Sequence, residues 1–317
     1  MGNTMLVTLQ TLGALVLLFG GGELLLRGAA ALASRLGVSP LAIGLTVVAF
    51  GTSAPELVVS LNAALAGAAD ISVGNVVGSN IANVALILGL AGLIRPVSVQ
   101  AKMARLDAPL MVAVSLLALG FLAGGYLGRV EGGVLLTGLV IYVVVTFRLA
   151  RQAPAPLQEE LAAAPPDRLP GLALGIAFSL VGLALLVGGG QLLVHAAVAL
   201  ASSWGLSQAA IGLTIVAVGT SLPELSTSLL AAARGQGDIA VGNVVGSNLF
   251  NILGILGGTA LVRPLAVGGV GPVDLAAMVA VALLFGGLLW WKHGIGRVAA
   301  GVLLSCYVGY TWLLLGG

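Results

Sequence analysis

The stretch GLTVVAFGTSAPELVVSLNAALAGAADISVGNVVGSNIANVALILGL, residues 44–90, returns as GLTIVAVGTSLPELSTSLLAAARGQGDIAVGNVVGSNLFNILGIL, residues 212–256. The copies are offset by 168 positions without a gap, so Glu56 answers Glu224, Ser53 answers Ser221 and Asn83 answers Asn251. Carboxyl, hydroxyl and amide groups inside long apolar runs are expensive in lipid and persist where function requires them. Their duplication implies one pseudo-symmetric site between two halves of a membrane protein, the arrangement of a transporter.

Composition sets the class independently. Of 317 residues, 59% are hydrophobic and 8% charged, with a mean hydropathy of +1.15. That is too little polar surface for a water-soluble protein, so the expected fold class is an all-α polytopic membrane protein. Runs of about 20 apolar residues, enough to cross a core of about 30 Å, fall near residues 4–26, 41–66, 71–94, 108–123, 132–149, 171–194, 209–233, 239–262, 275–290 and 295–315. The only long polar stretch, 151–170, separates five crossings from five. The expected organisation is a five-helix repeat over 1–150, a cytoplasmic linker over 151–170 and a second five-helix repeat over 171–317.

An odd number of crossings per repeat sends the second copy into the membrane from the opposite side, so ten transmembrane helices form two inverted repeats. With both termini extracytoplasmic, eleven of the thirteen basic residues lie on the cytoplasmic side and only Arg129 and Arg263 lie outside. This is the asymmetry expected of a cell-membrane, multi-pass protein. The net charge of +2 gives no reason to expect nucleic acid. The N-terminus lacks a basic region before its first apolar run, so that run is expected to stay as a helix. Cys306 is the single cysteine, is expected to pack within its helix, and excludes an internal disulfide.

Pro55 and Pro223 interrupt apolar helical runs, where each lacks an N–H for the carbonyl four residues earlier, that of Gly51 or Gly219. Such breaks survive in membranes where other helices, water or ions satisfy the freed oxygens. Thr52 and Ser53 precede Glu56 by four and three residues, as Thr220 and Ser221 precede Glu224, so each trio shares a helix face. Hydroxyl, carbonyl and carboxylate oxygens suit hard cations such as Ca²⁺ and Na⁺, and no Cys/His cluster points to zinc or copper.

In the following helix Asn75, Ser79 and Asn83 recur every fourth residue, as do Asn243, Ser247 and Asn251. Asn80 and Asn248 point to a neighbouring sector. The G-x-x-x-G spacings 74/78 and 242/246 are expected to bring this helix close to its neighbours. Glu23 and Arg27 are spaced for a local ion pair. Asp70, Asp107, Asp238 and Asp274 stand where helix N-termini favour carboxylates.

The paired GTSAPE and GTSLPE motifs, each followed by GNVVGSN, resemble the alpha repeats of the cation/calcium exchanger superfamily, most closely its sodium/calcium exchanger branch of the prokaryotic type. The resemblance implies no enzyme and no cofactor but antiport of Ca²⁺ against Na⁺, with membrane lipid as surroundings and no obligatory protein partner. Carried over by position, it implies Glu56 and Glu224 as shared ligands. Thr52 and Thr220 contribute mainly backbone oxygens, and Ser53, Ser79, Ser221 and Ser247 line flanking Na⁺ sites. Ala49 and Ala217 lend carbonyls, and Asn83 and Asn251 close the middle. Some relatives carry Asp in place of Asn251, and the amide here implies independence from K⁺.

Two ionised glutamates supply two negative charges, which one Ca²⁺ or several Na⁺ neutralise, so the ions exclude one another. Protons compete for the same carboxylates, and inhibition by acid is expected. A Ca²⁺/H⁺ exchanger of the same architecture is the alternative, disfavoured by GTS-x-PE in place of the GN-x-x-E form of proton-coupled relatives. A cation channel is a further alternative. The glycine-rich segments 20–22 and 188–190 are expected to let the first and sixth helices slide over the remaining bundle.

Overall fold

The computed structural model describes residues 2–36, 40–151, 171–203, 217–266 and 268–316. The expected linker lies outside these residues apart from Arg151, and so does the start of the seventh expected crossing, 209–216. Helix α1 spans Gly2–Leu36. A broken crossing follows, made of α2 (Pro40–Ile43), a π-helical turn (Gly44–Val48), α3 (Ala49–Thr52) and α4 (Ala54–Leu65). Then α5 (Ala69–Ile81) continues through a π-helical segment (Ala82–Ile87) into α6 (Leu88–Ile94). After strand β1 (Val97–Ser98), a π-helical turn (Met103–Asp107) opens α7 (Ala108–Leu122), and β2 (Tyr126–Leu127) leads to α8 (Arg129–Arg151).

The second half repeats this order within its described residues. It comprises α9 (Leu172–Ser203), α10 (Ala217–Thr220), α11 (Leu222–Ala233) and α12 (Gly237–Leu249), a π-helical segment (Phe250–Leu256), and α13 (Gly257–Val262). Strand β3 (Leu265–Ala266), α14 (Pro272–Lys292), β4 (Gly294–Ile295) and α15 (Arg297–Gly316) complete it. Among the described residues eight helices are long and apolar enough to cross a membrane, nine if the bent pair Leu41–Thr52 and Ala54–Leu65 is one span. The protein is thus a mostly helical, multi-pass membrane protein.

Burial places the motifs. The most apolar window of Gly237–Val262 is wholly buried inside the protein, whereas that of Arg297–Leu314 is only 11% buried. The helices carrying GNVVGSN therefore form the centre, and α1, α8, α9 and α15 present Phe19, Val130, Leu180 and Trp312 outward, as a lipid-facing shell requires. Small residues draw the centre together. A Cβ on Gly246 would stand 2.5 Å from the carbonyl oxygen of Leu45, so only glycine lets the Gly44–Val48 turn approach α12 this closely.

Two small antiparallel ribbons join the halves at opposite ends, features absent from the all-α expectation. Val97 and Ser98 pair with Ile295 and Gly294, while Tyr126 and Leu127 pair with Ala266 and Leu265. Adding 168 to β1 and β2 yields β3 and β4, so the ribbons are counterparts. Arginine clamps repeat the same relation. Arg95 donates to the carbonyl of Ala233 and Arg263 to that of Leu65, each closing the C-terminus of the other half's broken crossing.

Several local expectations are corrected. Asp70 and Asp238 do not cap their own helices. Asp70 accepts the N–H groups of Gly268 and Gly269, and Asp238 that of Gln100, so both tie down a loop of the opposite half. Asp274 does cap α14, accepting the Gly271 N–H, whereas buried Asp107 makes no side-chain cap. The repeat offset falls from 168 to 167 between these two aspartates, and the π-helical turn Met103–Asp107 absorbs the extra residue of the first half. Glu23 pairs with Arg27 and also bridges to Arg234 beyond α11. Cys306 is exposed on the outer face and does not pack inward.

Candidate functional site

Each broken crossing bends at a serine, not at the proline. Ser53 and Ser221 leave helical geometry with φ near −81° and −85°. Pro55 and Pro223 then occupy the first turn of α4 and α11, where an N–H has no helical partner to lose. The first break turns the chain by 45°. The bend sets Thr52, Ser53 and Glu56 around the junction, and the first turn of the new helix points the glutamate inward.

Glu56 and Glu224 have no solvent exposure. Each receives a hydroxyl from the opposite half. Ser221 donates to Glu56 Oε1 at 3.1 Å, and Ser53 donates to Glu224 Oε1 at 2.9 Å. The serine that binds each carboxylate stands three residues before the other glutamate. The carboxylates therefore face one shared interior and turn away from lipid.

The GNVVGSN helices complete the surround. Ser221 Oγ lies 3.1 Å from Ser79 Oγ, and the single Ser247 hydroxyl proton is shared between Glu224 Oε1 at 3.4 Å and the Ala49 carbonyl at 3.5 Å. Asn75 donates to the Glu56 carbonyl and to Ser60 Oγ, while its own Oδ1 accepts from Thr220. Asn243 repeats all three bonds with Glu224, Ser228 and Thr52. Asn83 and Asn251 are fully buried inside the two π-helical segments, whose wider turns re-aim side chains relative to an unbroken α-helix.

Among the described residues, Glu56 Oε2, Glu224 Oε2, Asn83 Oδ1 and Asn251 Oδ1 accept no hydrogen bond. Buried oxygens without donors cost free energy. Four such acceptors, duplicated by position, suit a cation and leave no donor for an anion.

Hydrogen bonds thus gather Glu56, Glu224, Thr52, Thr220, Ser53, Ser221, Ser79, Ser247 and the Ala49 carbonyl, while Asn83 and Asn251 bond to Asn248 and Asn80 instead. Ala217 opens α10, but its side chain lies outside the described residues. The supporting residues Ser60 and Ser228 were not expected from the sequence, and Asn75, Asn80, Asn243 and Asn248 were not among the expected ligands. The signal was present, since Ser60 and Ser228 stand one turn after each glutamate on the same face.

Mirrored broken helices around an oxygen-lined interior shielded from lipid define a membrane transporter by class. The sodium/calcium exchanger protein family profile matches residues 6–148 and 174–316, two segments again 168 apart. The chain belongs to this family. It is 41% identical over 317 residues to the putative antiporter CaxA of Alkalimonas amylolytica, covering 98% of this chain and 99% of that one. It is 34% identical over 337 residues to the sodium/calcium exchanger MaX1 of Methanosarcina acetivorans, covering 95% and 96%. A solved structure of the sodium-calcium exchanger NCX_Mj, soaked with Na⁺ and Sr²⁺, matches with a TM-score of 0.82 at 32% identity, over 96% of this chain and 97% of that one.

Proposed function

We propose that this chain is a secondary antiporter exchanging Na⁺ for Ca²⁺ across the cell membrane by alternating access. It is built as ten helices in two inverted repeats, 1–150 and 171–317, joined by a cytoplasmic linker. The observation that carries this reading is the set of four buried, donor-free oxygens on Glu56, Glu224, Asn83 and Asn251.

Ca²⁺ binds between the two glutamates with backbone oxygens of the Thr52 and Thr220 turns, and its two charges cancel those of the carboxylates. Na⁺ ions occupy flanking positions lined by Ser53, Ser79, Ser221 and Ser247 with the carbonyls of Ala49 and Ala217. Both ions need the same carboxylates, so one displaces the other. A carboxylate pair left ionised without a cation is costly in a dry interior, which couples movement to loading.

Orientation has its own support. The β1–β4 ribbon and the Arg95 clamp gather Arg95, Arg234, Lys292 and Arg297 at one end, and the β2–β3 ribbon and the Arg263 clamp gather Arg129 and Arg263 at the other. The richer end is cytoplasmic, and both termini are extracytoplasmic. Coupling to Na⁺ over H⁺ is supported by the GTS-x-PE motifs and by the similarity to MaX1, a sodium/calcium exchanger.

The test is uptake of radioactive Ca²⁺ into proteoliposomes under an imposed Na⁺ gradient. Uptake driven by Na⁺, insensitive to K⁺ and lost in Glu56→Gln and Glu224→Gln, is the expected result. Uptake driven by a proton gradient alone overturns the Na⁺ assignment, and Ca²⁺ conductance without a counter-ion overturns antiport.

A further inference from the structure

Asn83 and Asn251 are useful to a cation only if their carbonyl oxygens, not their NH₂ groups, face it. An amide side chain fits its pocket either way round, so something must select the orientation. Asn248 Nδ2 lies 3.2 Å from the backbone carbonyl of Asn80 and 3.7 Å from Met111 Sδ. A carbonyl oxygen and a thioether sulfur can only accept, so this end of Asn248 must be its NH₂. Its Oδ1 then faces Asn83, which meets it with Nδ2 at 3.0 Å, leaving Asn83 Oδ1 without a donor.

The second half runs the same relay with fewer parts. Asn80 Nδ2 lies 3.9 Å from Met278 Sδ, and Asn80 Oδ1 accepts from Asn251 Nδ2 at 3.4 Å, leaving Asn251 Oδ1 free of donors. All four relay residues are buried, and Met111 and Met278 come from α7 and α14, outside the repeated motifs.

We infer that Met111 and Met278, acting through Asn248 and Asn80, are positioning residues that hold the Asn83 and Asn251 carbonyls toward the cation and so set its affinity. This rests on the antiport reading for the identity of the cation, while the relay itself stands on the hydrogen-bond geometry. The sides are unequal. Asn248 is fixed by a carbonyl as well as a sulfur, whereas the sulfur of Met278 is the only acceptor among the described residues that fixes Asn80.

Binding of radioactive Ca²⁺ to the purified full chain in detergent tests the inference. Met278→Leu keeps the volume and removes the acceptor, and is expected to raise the Ca²⁺ concentration for half-saturation about tenfold with unchanged capacity. Met111→Leu, with the Asn80 carbonyl still in place, is expected to shift it by less than about threefold. Met278→Gln restores an acceptor at similar reach and is expected to bind as the wild type does.

Wild-type affinity in Met278→Leu, equal weakening by Leu and Gln at 278, or equal weakening at 111 and 278 each overturns the relay. Absence of Ca²⁺ binding in the wild type overturns the antiport reading instead. The relay is then decided by ¹⁵N-asparagine-labelled protein, where Met278→Leu must move the Asn251 side-chain NH₂ resonances and Met278→Gln must not. Unmoved resonances overturn it.

Discussion

Replacing Glu56 or Glu224 by Gln separates charge from shape. The amide keeps an oxygen for the serine of the opposite half, so the hydrogen bonds from Ser221 and Ser53 survive. It also removes one of two like charges in a buried pair. Each variant is expected to unfold at a temperature no lower than the wild type and to lose Ca²⁺ exchange, measured by thermal unfolding in detergent beside uptake in proteoliposomes. Collapse of stability in step with activity would make the glutamates structural. Acid acts through the same atoms, since a proton on either carboxylate takes a charge from the cation. Lowering the pH from alkaline to mildly acidic is expected to raise the half-saturating Ca²⁺ concentration, and a flat profile contradicts competition. The glutamates, serines and threonines were legible because polar groups inside apolar runs mark themselves by cost. Their partners were not. Ser53 bonds across 171 positions to Glu224, and no local spacing encodes that pairing. Nor does spacing reveal that Asn80 and Asn248, on a different sector from Asn83 and Asn251, orient them.

Helices α1 and α9 show how an element acts through its smallest residues. They lie antiparallel along most of their length, with Gly21 against Gly182 and Gly189 against Ala14 and Leu17. A Cβ on Gly182 would stand 2.5 Å from the backbone nitrogen of Leu25 and 2.7 Å from the Gly21 carbonyl. Backbone cannot rotate away, so Gly182→Ala is expected to destabilise by about 1–3 kcal/mol and to slow exchange. A Cβ on Gly188 meets no described atom within 4 Å, so Gly188→Ala is the matched control and is expected to behave as the wild type. Equal effects of the two would remove the packing argument. The glycine-rich segments were visible in the sequence, but their division was not. The expectation had both segments facing the bundle, whereas Gly21 and Gly189 join α1 to α9 and only Gly22 and Gly190 face α10 and α11. The apolar run 4–26 also understated α1, because Arg27 ends the run without ending the helix. At 35 residues α1 is about 52 Å long, well beyond a bilayer core. The π-helical segments left no sequence signal at all, since they depend on how the turns pack.

Across the whole molecule the repeated parts obey one rule and the α1–α9 pair breaks it. Ribbons, arginine clamps and the serine–glutamate exchange all come in counterparts 168 apart. Two glycines of the pair, in contrast, lean to one side. Gly22 of α1 sits against Leu230 and Ser226, and Gly190 of α9 against Gly219, Leu222 and Pro223, all on the second half's broken crossing, while the first half's is met by Leu183 of α9 against Gly51. Glu23 adds a bridge to Arg234 on the same side. Under the proposed alternating access, this asymmetry calls for a second arrangement in which the two halves exchange roles. Subtracting or adding 168 specifies it. Gly190 moves beside Asn62, the counterpart of Leu230, and Gly22 moves beside Gly51, the counterpart of Gly219. The Glu23–Arg234 bridge must open, because the corresponding positions hold Gln191 and Ala66. The proposed alternating access is therefore tested by two disulfide traps with opposite expected consequences. Gly22→Cys with Leu230→Cys is expected to form readily in the present arrangement. Gly190→Cys with Asn62→Cys is expected to form only as the protein turns over, faster when Na⁺ and Ca²⁺ gradients drive exchange. Each crosslink is expected to stop Ca²⁺ uptake, and reduction to restore it, with the two trapped forms open to a membrane-impermeant thiol reagent from opposite sides. Full exchange through both crosslinked forms would mean that the pair stays where it is and that ions reach the glutamates by another motion.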